Sequence, residues 1–169
     1  RADVGDEGLG MDVTQHGEEA YTSGEGAILV LPELEAPSIA LHIPWDLVDD
    51  VDKLRAHAED HGLRLGTINT NTFQDDDYKL GSLTNADPAI RRKAVEHNLH
   101  CIEIMNETGS RDLKIWLAEG SNYPGQTDMR ARQDRLNDSL RQVYDRLTGE
   151  QRLVLCHLGG EGDDRIRQV

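Results

Sequence analysis

The sequence predicts an α/β fold built on a parallel sheet, and two observations carry this prediction. Short apolar runs alternate with longer segments in which apolar residues recur at helical spacing. Each of the three predicted helices is followed by a glycine, the residue best suited to a left-handed position after a helix. Such alternation demands helical crossovers between parallel strands. An open doubly wound sheet and a (β/α)8 barrel both satisfy it, and both place ligands at the carboxyl ends of the strands.

Four strands and three helices are predicted from residue 38 onward. The strands are predicted at 39–43, 63–68, 113–118 and about 151–157. The helices are predicted from Pro44 or Asp46 to Gly62, from the Asp87–Pro88 capping pair to Gly109, and from Thr127 or Asp128 to Gly149. The apolar stripes predicted to face the core include Leu47 in the first helix and Met129 in the third.

Charge and composition divide the chain into three segments. Residues 1–37 carry nine acidic residues and one basic residue, a net charge of 1 − 9 = −8 out of −14 for all 169 residues. We expect this acidic head to be mostly irregular, with one strand candidate at 27–31. Residues 38–157 form the predicted α/β domain. Residues 158–169 form a glycine-rich tail without helical periodicity.

The overall composition disfavours several classes of partner. A net charge of −14 and a pI near 4.8 argue against binding to nucleic acid or to an anionic membrane surface. No apolar run reaches the ~18 residues of a membrane span, and the N-terminus lacks the pattern of a signal peptide. Cys101 and Cys156 are too few for a disulfide scaffold, so we expect a cytoplasmic protein. Nucleotide-binding glycine loops and the nucleophile elbow of α/β-hydrolases are both absent from the sequence.

Polar and aromatic residues gather where the predicted strands end. They are His42, Trp45 and Asp46 after the first strand, Asn69, Asn71 and Phe73 after the second, and Trp116 and Glu119 after the third. His42 precedes Asp46 by four residues, so a carboxylate could orient its imidazole ring. Each residue also has a structural interpretation: a buried histidine, a helix N-cap at Asp46, a loop cover at Phe73 and core packing at Trp116.

Other chemically capable side chains are predicted to be structural. We interpret His16, His57, His61, His97 and His100 as surface residues and Lys79 and Lys114 as non-catalytic. Asp75, Asp76 and Asp77 are predicted to form a solvated loop, because consecutive carboxylates cannot all point to one ion. Cys156 and His157 are a poor metal pair, because adjacent side chains of a strand face opposite ways.

Three longer stretches resemble a known family. They are ALHIPWD at 40–46, INTNTFQDDDYKLGSL at 68–83 and SRDLKIWLAEGSNYPG at 110–125. Together they resemble the bacterial L-rhamnose isomerases of the broad-specificity type, which are relatives of the xylose isomerases. The resemblance runs from about Ser38 to Leu155, and a whole (β/α)8 barrel needs ~250 residues. It therefore implies a partial barrel, with about three βα units plus a fourth strand.

The resemblance also implies an activity and roles for particular residues. Such enzymes interconvert aldoses and ketoses, here L-rhamnose and L-rhamnulose, with a divalent metal that is typically Mn²⁺, and they form homotetramers. His42 matches the histidine that acts at the sugar ring oxygen or anomeric hydroxyl. Phe73 and Trp116 match the aromatic walls of the sugar site. We therefore predict that His42, Phe73 and Trp116 face one shared concavity, supported by Trp45, Asp46, Asn69 and Asn71.

The chain departs from this family at the fourth predicted strand. The family carries a Glu-x-Lys pair there, in which the glutamate is a metal ligand, whereas this chain has Cys156 and Leu158. The sequence therefore predicts no metal ligand in this chain and no L-rhamnose isomerase activity from it alone. A non-catalytic α/β remnant, or a sugar-binding module without metal, is the alternative. A phosphoester hydrolase on a related barrel is disfavoured because the metal ligands and the basic surface are lacking.

Overall fold

The computed structural model describes residues 20–21, 38–119, 127–156 and 167–168, which form a six-stranded sheet with its strands in chain order. The strands are β1 (Ala20–Tyr21), β2 (Ser38–Ile43), β3 (Arg64–Thr70), β4 (Asp112–Trp116), β5 (Arg152–Cys156) and β6 (Arg167–Gln168). Neighbouring strands from β1 to β5 pair in parallel, and β6 pairs antiparallel to β5. The strand candidate at 27–31 lies outside the described residues.

Helices connect the four long parallel strands. Helix α1 (Val51–Asp60) joins β2 to β3, a 3-10 helix (Asp76–Leu80) and α2 (Pro88–Thr108) join β3 to β4, and α3 (Met129–Tyr144) joins β4 to β5. This order of three βα units and a following strand is part of a (β/α)8 barrel, which confirms the predicted fold class. The short strands β1 and β6 were not predicted, because two residues are too few to show a periodic pattern. No helix of the described residues is long and apolar enough to cross a membrane.

Two helix boundaries were predicted wrongly. Helix α1 begins at Val51 and not at Pro44 or Asp46, because the Asp50 carboxylate caps it by accepting a hydrogen bond from the Lys53 N–H at 3.0 Å. Leu47 therefore precedes the helix and is 45 % exposed. Helix α3 ends at Tyr144, before the predicted Gly149, and its first residue Met129 is 53 % exposed. Neither Leu47 nor Met129 belongs to the buried core.

The second helix follows its prediction closely. The Asp87 carboxylate caps α2 by accepting from the Ala89 N–H at 2.8 Å, and Pro88 occupies the first turn. Gly109 ends the helix at φ 74°, where its N–H donates to the Met105 carbonyl. Ala94, Cys101, Ile102 and Met105 are buried and form the inward face of this helix.

The register of the sheet separates two sets of side chains. Apolar residues pair across the strands and pack on the helices: Leu41, Ile68, Leu113 and Leu153 form one such row. The residues between them point to the opposite face, which we call the inner face. A bulge at Gly66 keeps β2 and β3 in this alignment, and a Cβ at Gly66 would stand 3.0 Å from Ser38 Oγ.

We expect the substitution Gly109→Ala to lower the free energy of unfolding by about 1 kcal/mol. The added Cβ meets no atom within 4 Å, so the cost arises from the left-handed backbone alone. Urea unfolding followed by circular dichroism measures it. The control is Glu96→Ala at an exposed position of α2, for which we expect a change within about 0.5 kcal/mol. Equal stability of the Gly109→Ala and parent proteins would contradict the assignment.

Candidate functional site

Aromatic rings from three successive strands form one continuous row. The Phe73 and Trp116 rings are in edge contact, with centroids 4.6 Å apart, and the Trp45 ring lies 6.4 Å from that of Phe73. The His42 imidazole lies beyond Trp45, at 6.0 Å. We call Trp45, Phe73 and Trp116 the aromatic row. The structure therefore joins His42 to the Phe73–Trp116 pair through Trp45, which the sequence had indicated only as a supporting residue.

The strand ends explain why these rings meet. His42 lies near the end of β2 and Trp45 in the turn after it, Phe73 follows β3, and Trp116 is the last residue of β4. Because the strands are parallel and adjacent, their carboxyl ends lie at the same edge of the sheet. The Trp45 side chain is 49 % exposed, so this end of the row is open to solvent.

A compact turn fixes His42 and Trp45. The buried Asp46 carboxylate accepts a hydrogen bond from the backbone N–H of His42 at 2.6 Å, and the Asp46 N–H donates to the His42 carbonyl at 2.8 Å. Asp46 is thus a turn residue and not the predicted helix N-cap. The sequence analysis expected its carboxylate to orient the imidazole ring of His42, whereas this hydrogen bond orients the backbone of His42. Burial raises the pKa of Asp46 to about 6, although the hydrogen bond from His42 opposes that rise.

The surroundings of His42 favour its neutral form. Burial lowers the pKa of the imidazole below its usual value, and the positive charge of Lys114 lowers it further. Both effects oppose protonation at neutral pH. A neutral imidazole has a free lone pair, so it can accept a proton from a hydroxyl group of a bound molecule.

The two asparagines after β3 have different surroundings. Asn69 is 6 % exposed on the inner face, where it pairs in register with His42 of β2 and Lys114 of β4. The Asn71 side chain instead closes a local turn, because its amide donates to Gln74 Oε1 and its carbonyl oxygen accepts from the Gln74 N–H. Asn71 therefore shapes the loop that carries Phe73.

His97 was predicted as a surface residue, and this was wrong. It is half-buried on α2, and its Nε2 accepts a hydrogen bond from the Asn71 N–H at 3.0 Å. Burial lowers the pKa of His97, with a smaller contribution from His100, and only the unprotonated Nε2 can accept this bond. His97 thus holds the start of the loop that leads to Phe73.

Glu119 holds the other end of the same loop. Its carboxylate accepts hydrogen bonds from the N–H groups of Ser82, Leu83 and Thr84 and from the hydroxyls of Ser82 and Thr84, at 2.6–3.2 Å. Gly81 allows the approach, because a Cβ at its φ of 106° would stand 2.6 Å from Thr84 Oγ1. The sequence indicated Glu119 only as one of several polar residues after β4.

Helix α3 completes the attachment of this loop. The Ser139 hydroxyl donates to the Leu83 carbonyl at 2.8 Å, and the Arg135 side chain donates to the Thr84 carbonyl at 2.8 Å. The connection from β3 to α2 is therefore bound to α2 by His97, to the segment after β4 by Glu119, and to α3. These bonds fix the loop on which Phe73 lies.

The described residues do not provide a metal centre. No group of three or more His, Cys, Asp or Glu side chains is placed there so that it could hold a metal ion. Asp75 and Asp77 instead bind the Lys93 ammonium at 2.7 Å each. Cys156, where the resemblance predicts a glutamate, pairs in register with Trp116. The residues described do not fit the Mn²⁺ site that the resemblance implies.

Part of the chain is similar in sequence to probable sugar isomerases. It is 41 % identical over 126 residues to a probable sugar isomerase of Rhizobium meliloti (strain 1021) and 42 % identical over 126 residues to one of Mesorhizobium japonicum. Both alignments cover 72 % of this chain and 29 % of the relative, so the chain spans less than a third of their length. No family model matches the chain. The chain is similar to sugar isomerases.

Solved structures of sugar epimerases share the fold. A 3-keto-D-glucoside 4-epimerase from E. coli matches with a TM-score of 0.60 at 15 % identity, over 82 % of this chain and 54 % of its own. A D-allulose 3-epimerase from Methylomonas sp., solved with D-allulose, matches with 0.59 at 18 %, over 76 % and 43 %. A xylose isomerase domain protein from Planctomyces limnophilus matches with 0.56 at 17 %, over 82 % and 53 %. At these identities the likeness establishes the fold alone.

We expect the substitution Glu119→Gln to lower the free energy of unfolding by about 2–3 kcal/mol. Glutamine keeps one acceptor oxygen but turns an amide N–H₂ toward N–H and hydroxyl donors, so several of the bonds to residues 82–84 are lost. Urea unfolding followed by tryptophan fluorescence measures the change. Glu96→Gln, at an exposed glutamate of α2, is the matched control and is expected to change stability by less than about 0.5 kcal/mol.

The hydrogen bond between Asn71 and His97 predicts a pH dependence of stability. Because the pKa of His97 is lowered in the folded state, the unfolded chain takes up the proton first. Its contribution to stability is therefore fully present above about pH 6.5 and is lost as the pH falls toward the folded-state pKa.

We expect His97→Gln to reduce the loss of stability between pH 7.5 and pH 5 by up to about 1 kcal/mol, since the ring is only half-buried. The measurement is urea unfolding of both proteins at the two pH values. Glutamine can still accept the bond from Asn71, so the two proteins should be similarly stable at pH 7.5. An identical loss in both proteins would show that His97 does not titrate with folding.

Proposed function

We propose that this chain forms the sugar-binding part of a sugar isomerase that interconverts an aldose and its ketose, with L-rhamnose and L-rhamnulose as the pair. The observation that carries the proposal is the continuity of the aromatic row with His42 at the carboxyl ends of β2, β3 and β4. The similarity to the probable sugar isomerases supports it. The choice of L-rhamnose rests on the family resemblance of the three sequence stretches.

The aromatic row suits a sugar because a sugar has two kinds of surface. Its C–H groups form apolar patches, and its hydroxyl groups lie around them. The Phe73 and Trp116 rings, in edge contact, provide an apolar wall for the C–H groups and exclude water from one side of the site. Trp45, which is half-exposed, extends that wall toward solvent.

His42 is proposed as the group that assists ring opening. A sugar ring opens when the anomeric hydroxyl loses its proton and the ring oxygen gains one. The neutral imidazole that burial and Lys114 favour can accept the proton of the anomeric hydroxyl near neutral pH. The imidazolium so formed can return that proton to the ring oxygen as the bond between the ring oxygen and the anomeric carbon breaks and the carbonyl group forms. Asp46 is a positioning residue in this scheme, since its hydrogen bond holds the backbone of His42.

The remaining components follow from the resemblance and are part of the same proposal. Mn²⁺ would polarise the oxygens at the first two sugar carbons, and its ligands would come from chain segments outside the described residues. We also propose a cytoplasmic protein that assembles as a homotetramer. None of the steps assigned to His42 or to the aromatic row depends on these components.

A second function is favoured by one observation. The resemblance predicts a metal-binding glutamate where this chain has Cys156, and the described residues hold no cluster of metal ligands. A chain with this substitution could bind a sugar without converting it. The second candidate is therefore a sugar-binding module that retains the aromatic row and lacks the metal.

We expect L-rhamnose to change the tryptophan fluorescence of the chain in a saturable manner. Both tryptophans of the sequence, Trp45 and Trp116, belong to the aromatic row, so the signal reports on the site itself. Phe73→Ala should weaken binding about three- to tenfold by removing the ring that touches Trp116. Tyr144→Ala, at a residue that is 59 % exposed on α3, is the matched control and should bind as the parent does.

Turnover separates the two candidate functions. In the presence of Mn²⁺, conversion of L-rhamnose that a chelator abolishes would support the isomerase. Saturable binding without conversion would support the sugar-binding module. If Phe73→Ala and the parent protein bind L-rhamnose equally, or if neither binds it, the site is not the one proposed.

A further inference from the structure

The inner face of the sheet carries a row of polar residues beneath the aromatic row. His42 of β2 pairs in register with Asn69 of β3, and Asn69 pairs in register with Lys114 of β4. In-register residues of parallel strands point to the same side, so these three side chains share one face. We call them the polar row. Two interstrand spacings separate His42 from Lys114, a span of about 10 Å.

Asn69 is the buried centre of this row. It is 6 % exposed, and its amide nitrogen makes no hydrogen bond with any of the described residues. A buried amide donor without an acceptor is costly, and native structures pair such groups in nearly every case. The oxygen of a ligand hydroxyl is an acceptor that would complete Asn69 on this face.

Lys114 places a positive charge beside the same position. Its side chain is half-buried, and Asn69 separates it from His42 in the register of the sheet. After burial, the positive charge of Lys114 is the second cause that lowers the pKa of the His42 imidazole. An ammonium group offers three donors. Hydroxyl oxygens that accept from a charged donor form stronger hydrogen bonds than those that accept from a neutral one. The sequence predicted Lys114 as non-catalytic because it offers no argument for a shifted pKa of this lysine.

We infer that Lys114 and Asn69 bind hydroxyl groups of the sugar whose C–H surface packs on the aromatic row, and that Lys114 thereby selects the sugar. This inference rests on the proposed function and adds a specificity-determining residue to it. With His42, the polar row then offers three hydrogen-bonding groups to consecutive parts of one sugar molecule. The aromatic row covers the apolar side of that molecule.

The experiment compares Lys114→Met with Lys79→Met by titration with L-rhamnose, using tryptophan fluorescence. Methionine preserves most of the length of the lysine side chain and removes the donors. We expect Lys114→Met to weaken binding about tenfold. Lys79→Met is the matched control, because Lys79 is exposed in the 3-10 helix, and it should bind as the parent does.

Monodeoxy analogues of L-rhamnose test whether the lysine contacts a hydroxyl directly. For one analogue, the parent protein should lose about tenfold in affinity, whereas Lys114→Met should lose almost nothing further. A purely structural role of Lys114 would make the two losses multiply for every analogue. Lys114→Gln, which keeps a neutral donor, should recover part of the affinity.

The nuclear magnetic resonance titration of His42 provides a readout that does not require sugar. Removal of the lysine charge should raise the apparent pKa of His42 in a folded Lys114→Met protein. The same spectra also show whether that variant is unfolded. In the latter case the Lys114→Gln protein carries the test. Equal binding by the folded lysine variants and the parent would overturn the inference and leave the proposed function standing. Absence of L-rhamnose binding by the parent would overturn both.

Discussion

The in-register pairing of β2, β3, β4 and β5 is the constraint on which the rest of the structure depends. It places one set of alternate side chains against the helices and the other set on the inner face. A slip of one residue in any of these strands would exchange the two sets and bury polar groups under the helices. The bulge at Gly66 absorbs the single irregularity between β2 and β3, so His42 and Asn69 remain side by side.

The sequence predicted the elements whose signal is periodic and local. The four long strands and α2 are recognisable because their apolar spacing and caps lie within each element. The start of α1 was mispredicted because Asp46 and Asp50 are both suitable N-caps, and only the folded turn shows that the Asp46 carboxylate is occupied by the His42 N–H. The two-residue strands β1 and β6 exist through pairing with their neighbours, which no local pattern encodes.

The residues of the candidate site also differ in whether local sequence indicates them. Phe73 and Trp116 could be predicted because they lie in stretches that resemble a known family and follow successive strands. The roles of Glu119 and His97 could not be predicted, because their partners are 35–37 and 26 residues away in the chain. The role of Lys114 could not be predicted for the same reason, since only the pairing of β2 and β4 with the strand between them brings Lys114 near His42. Contacts of this kind depend on tertiary structure, and periodicity contains no information about them.

These distant contacts determine how well the site is prepared for a ligand. The loop after β3 is bound at its start by His97 and near its end by Glu119 and Ser139. Phe73 therefore reaches Trp116 on a backbone that is already fixed, and little conformational entropy is lost when a ligand packs against the two rings. The interactions that stabilise the fold and those that prepare the aromatic row are thus the same hydrogen bonds. Substitutions in this loop should consequently affect stability and ligand affinity together.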